Sequence, residues 1–311
     1  FVNSGSEAVH LACRAARALT GRRLIAKVAA GYDGWYDGVA LGTAMSTEAR
    51  LDGVRPTRDG VTLIRWNDLA DAERLFADHA DIAAIIVEPV LANAGCLMPQ
   101  EGYLAALGAM ARAHGALVIA DEVLMGFRLS AGLTAPGVGL TPDLATVGKA
   151  IGSGFAVAAL VGTPAAMEPF TSGRLARQGT YNGNAVASAA VLATMDGLDG
   201  VDYPALLARG ERLRARMCAV LSGAGVQATA SGYGSVFSLW RGETPPLSYD
   251  EALARYDGGL ALDLHLALRR HGVVSMAVPF GRYFLTAAHD AAVCSQIEAA
   301  FADAVQACGI R

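Results

Sequence analysis

The sequence predicts an α/β fold: a mostly parallel sheet covered by helices, followed by a smaller α+β domain. Three observations carry this. Short runs rich in Val and Ile, apolar on both faces, recur at 24–28, 61–64, 83–87, 116–120, 144–147 and 157–161. Helical segments such as 69–80 and 103–113 separate them. Strands without polar alternation are buried on both faces, which is the mark of a parallel sheet between helical layers. Third, the pattern changes near 197–204, which divides the chain into a large domain, 1–199, and a smaller one, 200–311.

The elements follow in order. Residues 7–19 set Ala8, Leu11, Ala12, Ala15 and Leu19 on one helical face, with Ser6 expected to cap the start and Gly21 to end the helix. In the second domain, 206–221 reads as a charged amphipathic helix, 236–240 as a strand, 251–270 as one helix, 273–276 as a strand and 291–308 as the last helix. The chain opens at Phe1 without Met and reads as a fragment or trimmed chain.

Composition narrows the functional classes. Of 311 residues 53% are hydrophobic, enough for a large core. Lys+Arg number 25 against Asp+Glu 29, a net charge of −4, and no basic stripe occurs, so nucleic acid is not an expected partner. No apolar stretch has membrane-spanning length. The five cysteines are scattered, with no C-x-x-C pair, and read as reduced thiols of a cytoplasmic protein without a structural metal. His10, His79 and His114 fall on helix faces or ends and read as structural, and no third ligand accompanies Asp33 and Asp37.

In open parallel sheets ligands bind beyond the carboxyl ends of the strands. Lys149, in Val147-Gly148-Lys149-Ala150, lies at such an end, as do Asp121 and the Glu88-Pro89 turn. A P-loop is excluded, because Ala150 stands at the Ser/Thr place and Asp143 at the first Gly place; Gly152-Ser153-Gly154 lacks the third glycine of a dinucleotide fingerprint. Alone, Asp121 reads as a helix cap or a solvated acid, Lys149 as a loop lysine, Ser4-Gly5-Ser6 as an ordinary helix start, Tyr32 as packing and Val123 as core. Together, an amine, an acid after a buried strand and an anion-binding helix start suit pyridoxal 5′-phosphate. The cofactor needs a Schiff-base partner, a carboxylate for its ring nitrogen and a phosphate cradle. Val123 would face the same way as Asp121 and could pack on the ring; the freed Lys149 amine is a base placed to shift a proton.

The chain resembles the class III, fold type I, pyridoxal-phosphate-dependent aminotransferases, and within them the glutamate-1-semialdehyde 2,1-aminomutase branch. The resemblance rests on Phe1-Val2-Asn3-Ser4-Gly5-Ser6-Glu7-Ala8, Val87-Glu88-Pro89-Val90, Pro99-Gln100-Glu101-Gly102-Tyr103-Leu104, Asp121-Glu122-Val123 with Gly126-Phe127-Arg128, and Thr141-Pro142-Asp143-Leu144 leading to Gly148-Lys149. It implies that Ser4, Gly5 and Ser6 hold the phosphate, that Tyr32 and Val123 cover the two ring faces, and that Asp121 meets the ring nitrogen. It further implies that Lys149 forms the Schiff base, that Asn93 lies near cofactor or substrate, and that Thr180 reaches the phosphate of a second subunit in a homodimer. An N-terminal segment ahead of the Asn3 block is also implied. The expected reaction is amino transfer between a donor and a carbonyl acceptor. The alternatives are the intramolecular aminomutase reaction and an inactive scaffold of the same fold. The sequence departs from the family where Asp33 replaces the usual histidine after the stacking tyrosine. It departs again where Gly281 and Arg282 follow Phe280 in place of the aminomutase's glutamate, leaving Arg282 as a candidate for a substrate carboxylate.

Overall fold

The computed structural model describes residues 1–52, 55–276 and 280–310. The chain forms two compact units: Phe1–Pro89 with Pro99–Gly200, and Val90–Met98 with Val201–Arg311. The segment Val90–Met98 therefore belongs with the second unit, an excursion that no composition change announces.

The first unit is built on a seven-stranded sheet of order β2-β3-β1-β4-β5-β6-β7. Its strands are β1 (Leu24–Val28), β2 (Thr57–Arg58), β3 (Val61–Ile64), β4 (Ile82–Val87), β5 (Leu117–Glu122), β6 (Leu144–Val147) and β7 (Ala159–Gly162). The inner pairs β3–β1, β1–β4, β4–β5 and β5–β6 are parallel, and the edge pairs β2–β3 and β6–β7 are antiparallel. The fold is thus α/β with a mostly parallel sheet, as expected. Helices α1 (Gly5–Thr20), α2 (Leu69–Asp78), α3 (Tyr103–Ala113), α4 (Pro164–Thr171) and α5 (Ala185–Asp199) accompany it. The buried face of α1 is mostly small: Ala12, Cys13, Ala15 and Ala16 pack with Ile25, Ile86, Ile119 and Leu144 of the sheet. Small side chains let the helix axis approach the strands closely, which sets the height of its N-terminus above their carboxyl ends.

The start of α1 differs from expectation. Ser4, not Ser6, is the cap: its Oγ accepts the Glu7 N–H at 3.3 Å, and Glu7 Oε2 accepts the Asn3 N–H at 2.8 Å. Serine followed three residues later by glutamate is a capping box, and that spacing outranks the apolar periodicity that pointed to Ser6. Gly21 ends the helix at φ 70°, its N–H on the Arg17 carbonyl.

The second unit holds α6 (Tyr203–Gly223), an antiparallel sheet of β8 (Ala228–Tyr233), β9 (Val236–Arg241) and β10 (Tyr283–Phe284), then α7 (Tyr249–Arg255), α8 (Gly258–Arg270) and α9 (Ala291–Ala307). Leu213, Met217, Phe237, Leu268, Phe301 and Ala304 form its core. Three expectations are corrected. The helix expected over 251–270 is two helices, because Asp257 accepts the Leu260 N–H and starts α8 afresh. Residues 273–276 are no strand; Met276 makes only an isolated bridge to Arg282. Strand β8 was missed, since Ala228, Ala230, Ser231 and Gly232 interrupt any strand signal and it gains its place by pairing along β9.

Helix α6 meets the β8–β9 turn backbone to backbone. A Cβ built on Gly210 would stand 1.8 Å from the Gly234 carbonyl oxygen, and one on Gly234 would stand 2.1 Å from that of Leu207. Neither neighbour can rotate away. We expect Gly210→Ala to destabilise the second unit by ~3 kcal/mol, against the small gain alanine normally brings to a helix. Urea unfolding checks this; an unchanged midpoint would contradict the close approach.

Candidate active site

The site lies wholly in the first unit, in a cavity of about 280 Å³ at the carboxyl ends of the parallel strands. Four segments build it. The start of α1 contributes Asn3 to Ser6, the loop after β1 contributes Tyr32, Asp33 and Gly34, and the ends of β5 and β6 contribute Asp121, Val123 and Lys149. Phe155, Ala156 and Val157 complete the wall.

Lys149 follows β6 after the single residue Gly148. Gly148 is extended, and Lys149 then turns into the left-handed region at φ 43°, opening a single 3₁₀ turn to Gly152. A non-glycine residue there costs about 1–2 kcal/mol, so the fold offsets a cost to present this amine. Such strain clusters at functional positions. The side chain is exposed to the cavity, and its charge acts on Asp121.

Asp121 and Glu122 are adjacent, so strand alternation sends them to opposite faces. Asp121 lines the cavity, 3% exposed, with its Oδ1 accepting the Val123 N–H at 2.9 Å. Glu122 points away, its Oε1 accepting the Ala135 N–H at 2.6 Å. Burial raises the Asp121 carboxyl well above its ordinary range, aided by the charges of Asp33 and Glu88; the Val123 N–H and Lys149 oppose this.

Behind Asp121 stands a group of buried charges. Lys27, 0% exposed in β1, donates to the Gly31 carbonyl at 2.6 Å and lies 3.3 Å from Asp33 Oδ2. Glu88, beyond β4, accepts the Tyr32 N–H at 3.1 Å. Gly31 separates two of these acids: a Cβ there would stand 3.3 Å from Asp33 Oδ2 and 3.6 Å from Glu88 Oε1. Sequence reasoning missed Lys27 as part of this group. A lysine inside the five-residue buried run Leu-Ile-Ala-Lys-Val was the available signal, because a buried ammonium needs a partner nearby.

The cavity floor is tight. A Cβ on Gly5 would meet Val123 Cγ1 at 2.8 Å, and one on Gly34 would meet Ser6 Oγ at 2.9 Å. The first turn of α1 thus sits directly over Val123. Its N–H groups, the positive end of the helix dipole and the Ser6 hydroxyl line the cavity, the Ser4 hydroxyl donates to Glu7 Oε2 at 3.1 Å, and Tyr32, 45% exposed, lines the same cavity. Among the described residues no group of three His, Cys, Asp or Glu is placed to hold a metal.

Seven expected residues therefore share one cavity: Ser4, Gly5, Ser6, Tyr32, Asp121, Val123 and Lys149. Asn93, Arg282 and Thr180 are not among the residues that line it. Asn93 and Arg282 belong to the second unit and to each other: Arg282 Nη1 donates to Asn93 Oδ1 at 2.6 Å and to the Ala92 carbonyl at 3.3 Å. Thr180 is exposed in the loop before α5, on a separate cavity of about 900 Å³ with Phe1, Arg177 and Asn182. Asn184 in that loop caps α5 by accepting the Ala187 N–H.

The geometry agrees with what this chain resembles. A glutamate-1-semialdehyde 2,1-aminomutase of Hyperthermus butylicus is 36% identical over 307 residues, covering 95% of this chain and 71% of that protein. The crystal structure of an ω-transaminase from Sphaerobacter thermophilus matches with TM-score 0.90 at 32% identity, covering 99% of this chain and 73% of that one. A transaminase with pyridoxal phosphate bound matches with TM-score 0.86 at 26% identity, covering 99% and 72%. The model of the class-III aminotransferases matches residues 1–232, and the chain belongs to that family.

Proposed function

We propose that this protein is a pyridoxal-phosphate-dependent aminotransferase whose cofactor sits in the Lys149 cavity. One observation carries the placement. The Lys149 amine and the buried Asp121 carboxyl, on neighbouring strand ends, face the same space as the N-terminus of α1. When bound, pyridoxal phosphate supplies an aldehyde that accepts the amino group and a ring that draws electrons from the reacting carbon.

The residues of this chain do the rest. The α1 N–H groups with Ser4 and Ser6 bind the phosphate dianion. Tyr32 and Val123 hold the ring from its two faces. Asp121, fixed by the Val123 N–H, keeps a proton on the ring nitrogen. Lys149 would hold the cofactor through its amine, and as a free amine it would be the base that moves a proton at the substrate carbon. The tight contact of Gly5 with Val123 keeps the phosphate end and the ring end at a fixed separation.

We further propose a homodimer in which Thr180 completes the neighbour's phosphate site; its exposure, away from Lys149 of its own chain, supports this. A cytoplasmic location suits five cysteines that form no disulfide. A second reading, intramolecular amino transfer as in the aminomutases, is favoured by the 36% identity to such an enzyme.

Four outcomes are expected. The protein mixed with pyridoxal phosphate develops a visible band that bleaches with an amino donor such as glutamate or alanine. Lys149→Ala forms no such band and loses at least ~10³-fold in turnover, whereas a variant that kept full turnover would exclude the assignment. Gly5→Ala, which drives a Cβ into Val123, weakens cofactor affinity about tenfold in equilibrium dialysis while thermal unfolding of the apoprotein changes little. Glutamate 1-semialdehyde supplied without any other amino donor or acceptor separates the two reactions: steady formation of 5-aminolevulinate assigns the mutase, and none assigns the transaminase.

A further inference from the structure

The second unit holds a cavity of its own, of about 130 Å³, to which no residue of the Lys149 site contributes. Leu239 and Trp240 of β9, Leu260 and Leu264 of α8, and Tyr256 and Phe280 form much of its wall. Protein interiors keep few voids wider than a water molecule. An apolar cavity of about 150 Å³ stays dry and takes up benzene, so this one has room for a single aromatic ring. Its walls are held from behind. Trp240 Nε1 donates to Ser231 Oγ at 2.7 Å, and Ser231 Oγ donates to the Gly95 carbonyl at 2.8 Å. A Cβ on Gly95 would stand 2.3 Å from Trp240 Cζ2, so the indole has no space to retreat. Phe280 packs on Tyr256 and Trp240, with ring centroids 4.7 and 5.8 Å away. His265 Nδ1 lies 3.2 Å from Ser275 Oγ, which ties α8 to the segment that follows it.

One edge of the cavity is charged. Arg241, exposed at the end of β9, and Arg255, half-buried at the end of α7, both line it. A Cβ on Gly242 would stand 3.5 Å from Arg255 Nη1, so that guanidinium lies against the residue next to Arg241. Arg255 Nη1 donates to the Thr244 carbonyl at 2.5 Å, and neither arginine is ion-paired with a carboxylate among the described residues. The acid on the wall, Asp257, accepts the Leu260 N–H at 3.0 Å as the cap of α8. A ring-sized apolar space edged by two guanidiniums is complementary to a molecule with an apolar ring and an anionic end, because arginine meets a carboxylate through two parallel N–H donors. We propose that this cavity is a binding site for a small aromatic carboxylate. The ring enters between Trp240, Phe280 and Leu264, and the carboxylate pairs with Arg241 and Arg255.

The test uses 4-fluorobenzoate as the probe, titrated into the full chain and followed by fluorine NMR. A dissociation constant below about 1 mM is expected. Leu264→Trp fills the space, and Arg241→Gln removes one charge from its edge; each should weaken binding about tenfold. The alcohol 4-fluorobenzyl alcohol, with the same ring and no charge, should bind the wild type about tenfold more weakly than the acid. Absence of binding at millimolar acid overturns the proposal. So does binding that neither substitution changes, because the probe then sits elsewhere, the Lys149 cavity included. Equal affinity for acid and alcohol overturns it as well, since the arginines then play no part. Arg241 is exposed and its replacement leaves the core untouched, so Arg241→Gln decides the matter if Leu264→Trp fails to fold.

Discussion

The parallel register of β4, β5 and β6 is the constraint on which the site depends. Val87 pairs with Ala120, Asp121 with Thr146 and Glu122 with Val147. This brings Glu88, Asp121 and Lys149 to neighbouring positions just where the ladders finish. Within the ladders backbone groups are mutually satisfied and side chains are packed on both faces. One or two residues further the backbone turns, and polar side chains gain room to face a common space. Alternation along β5 then divides the labour, sending Asp121 into the cavity and Glu122 to the Ala135 N–H on the other side.

Helix α1 closes the same space from the other direction, and its reach follows from composition. A buried face of mostly alanines with Val9 and Cys13 holds the helix close to the sheet, and the Ser4–Glu7 box fixes its first turn. The positive end of the helix therefore stands over Val123 with no room for even one methyl on Gly5. A helix packed through leucines would stand further from the strands and leave its N-terminus out of reach of an anion lying beside Asp121.

Burial gives the site its electrostatic character. A carboxyl at the surface would titrate in its ordinary range and be screened; Asp121, Asp33 and Glu88 are each no more than 3% exposed. Desolvation disfavours the ionised forms of Asp33 and Asp121, and the charges of Asp33 and Glu88 add to it at Asp121. The ammonium of Lys27, inside the sheet, offsets part of that cost, as does the Val123 N–H on Asp121. The arrangement suits the role proposed above for Asp121, a carboxyl partner for a cofactor's ring nitrogen.

The sequence by itself determined the elements whose signals are local. The inner strands show as apolar runs, α1 by its periodicity and Gly21, and α3 by its pattern, because burial and a terminating glycine leave a mark within a few residues. Lys149 and Asp121 were legible because a lysine among glycines and an acid after an apolar strand break their local patterns. Only the tertiary structure decided what depends on partners distant in the chain. It paired β8 with β9, set Arg282 on Asn93 across 189 residues, and joined Lys27, Asp33, Glu88 and Asp121 into one buried group. A buried charge is stable only through the groups that meet it, and those groups are chosen by the packing of the sheet, not by their place in the chain.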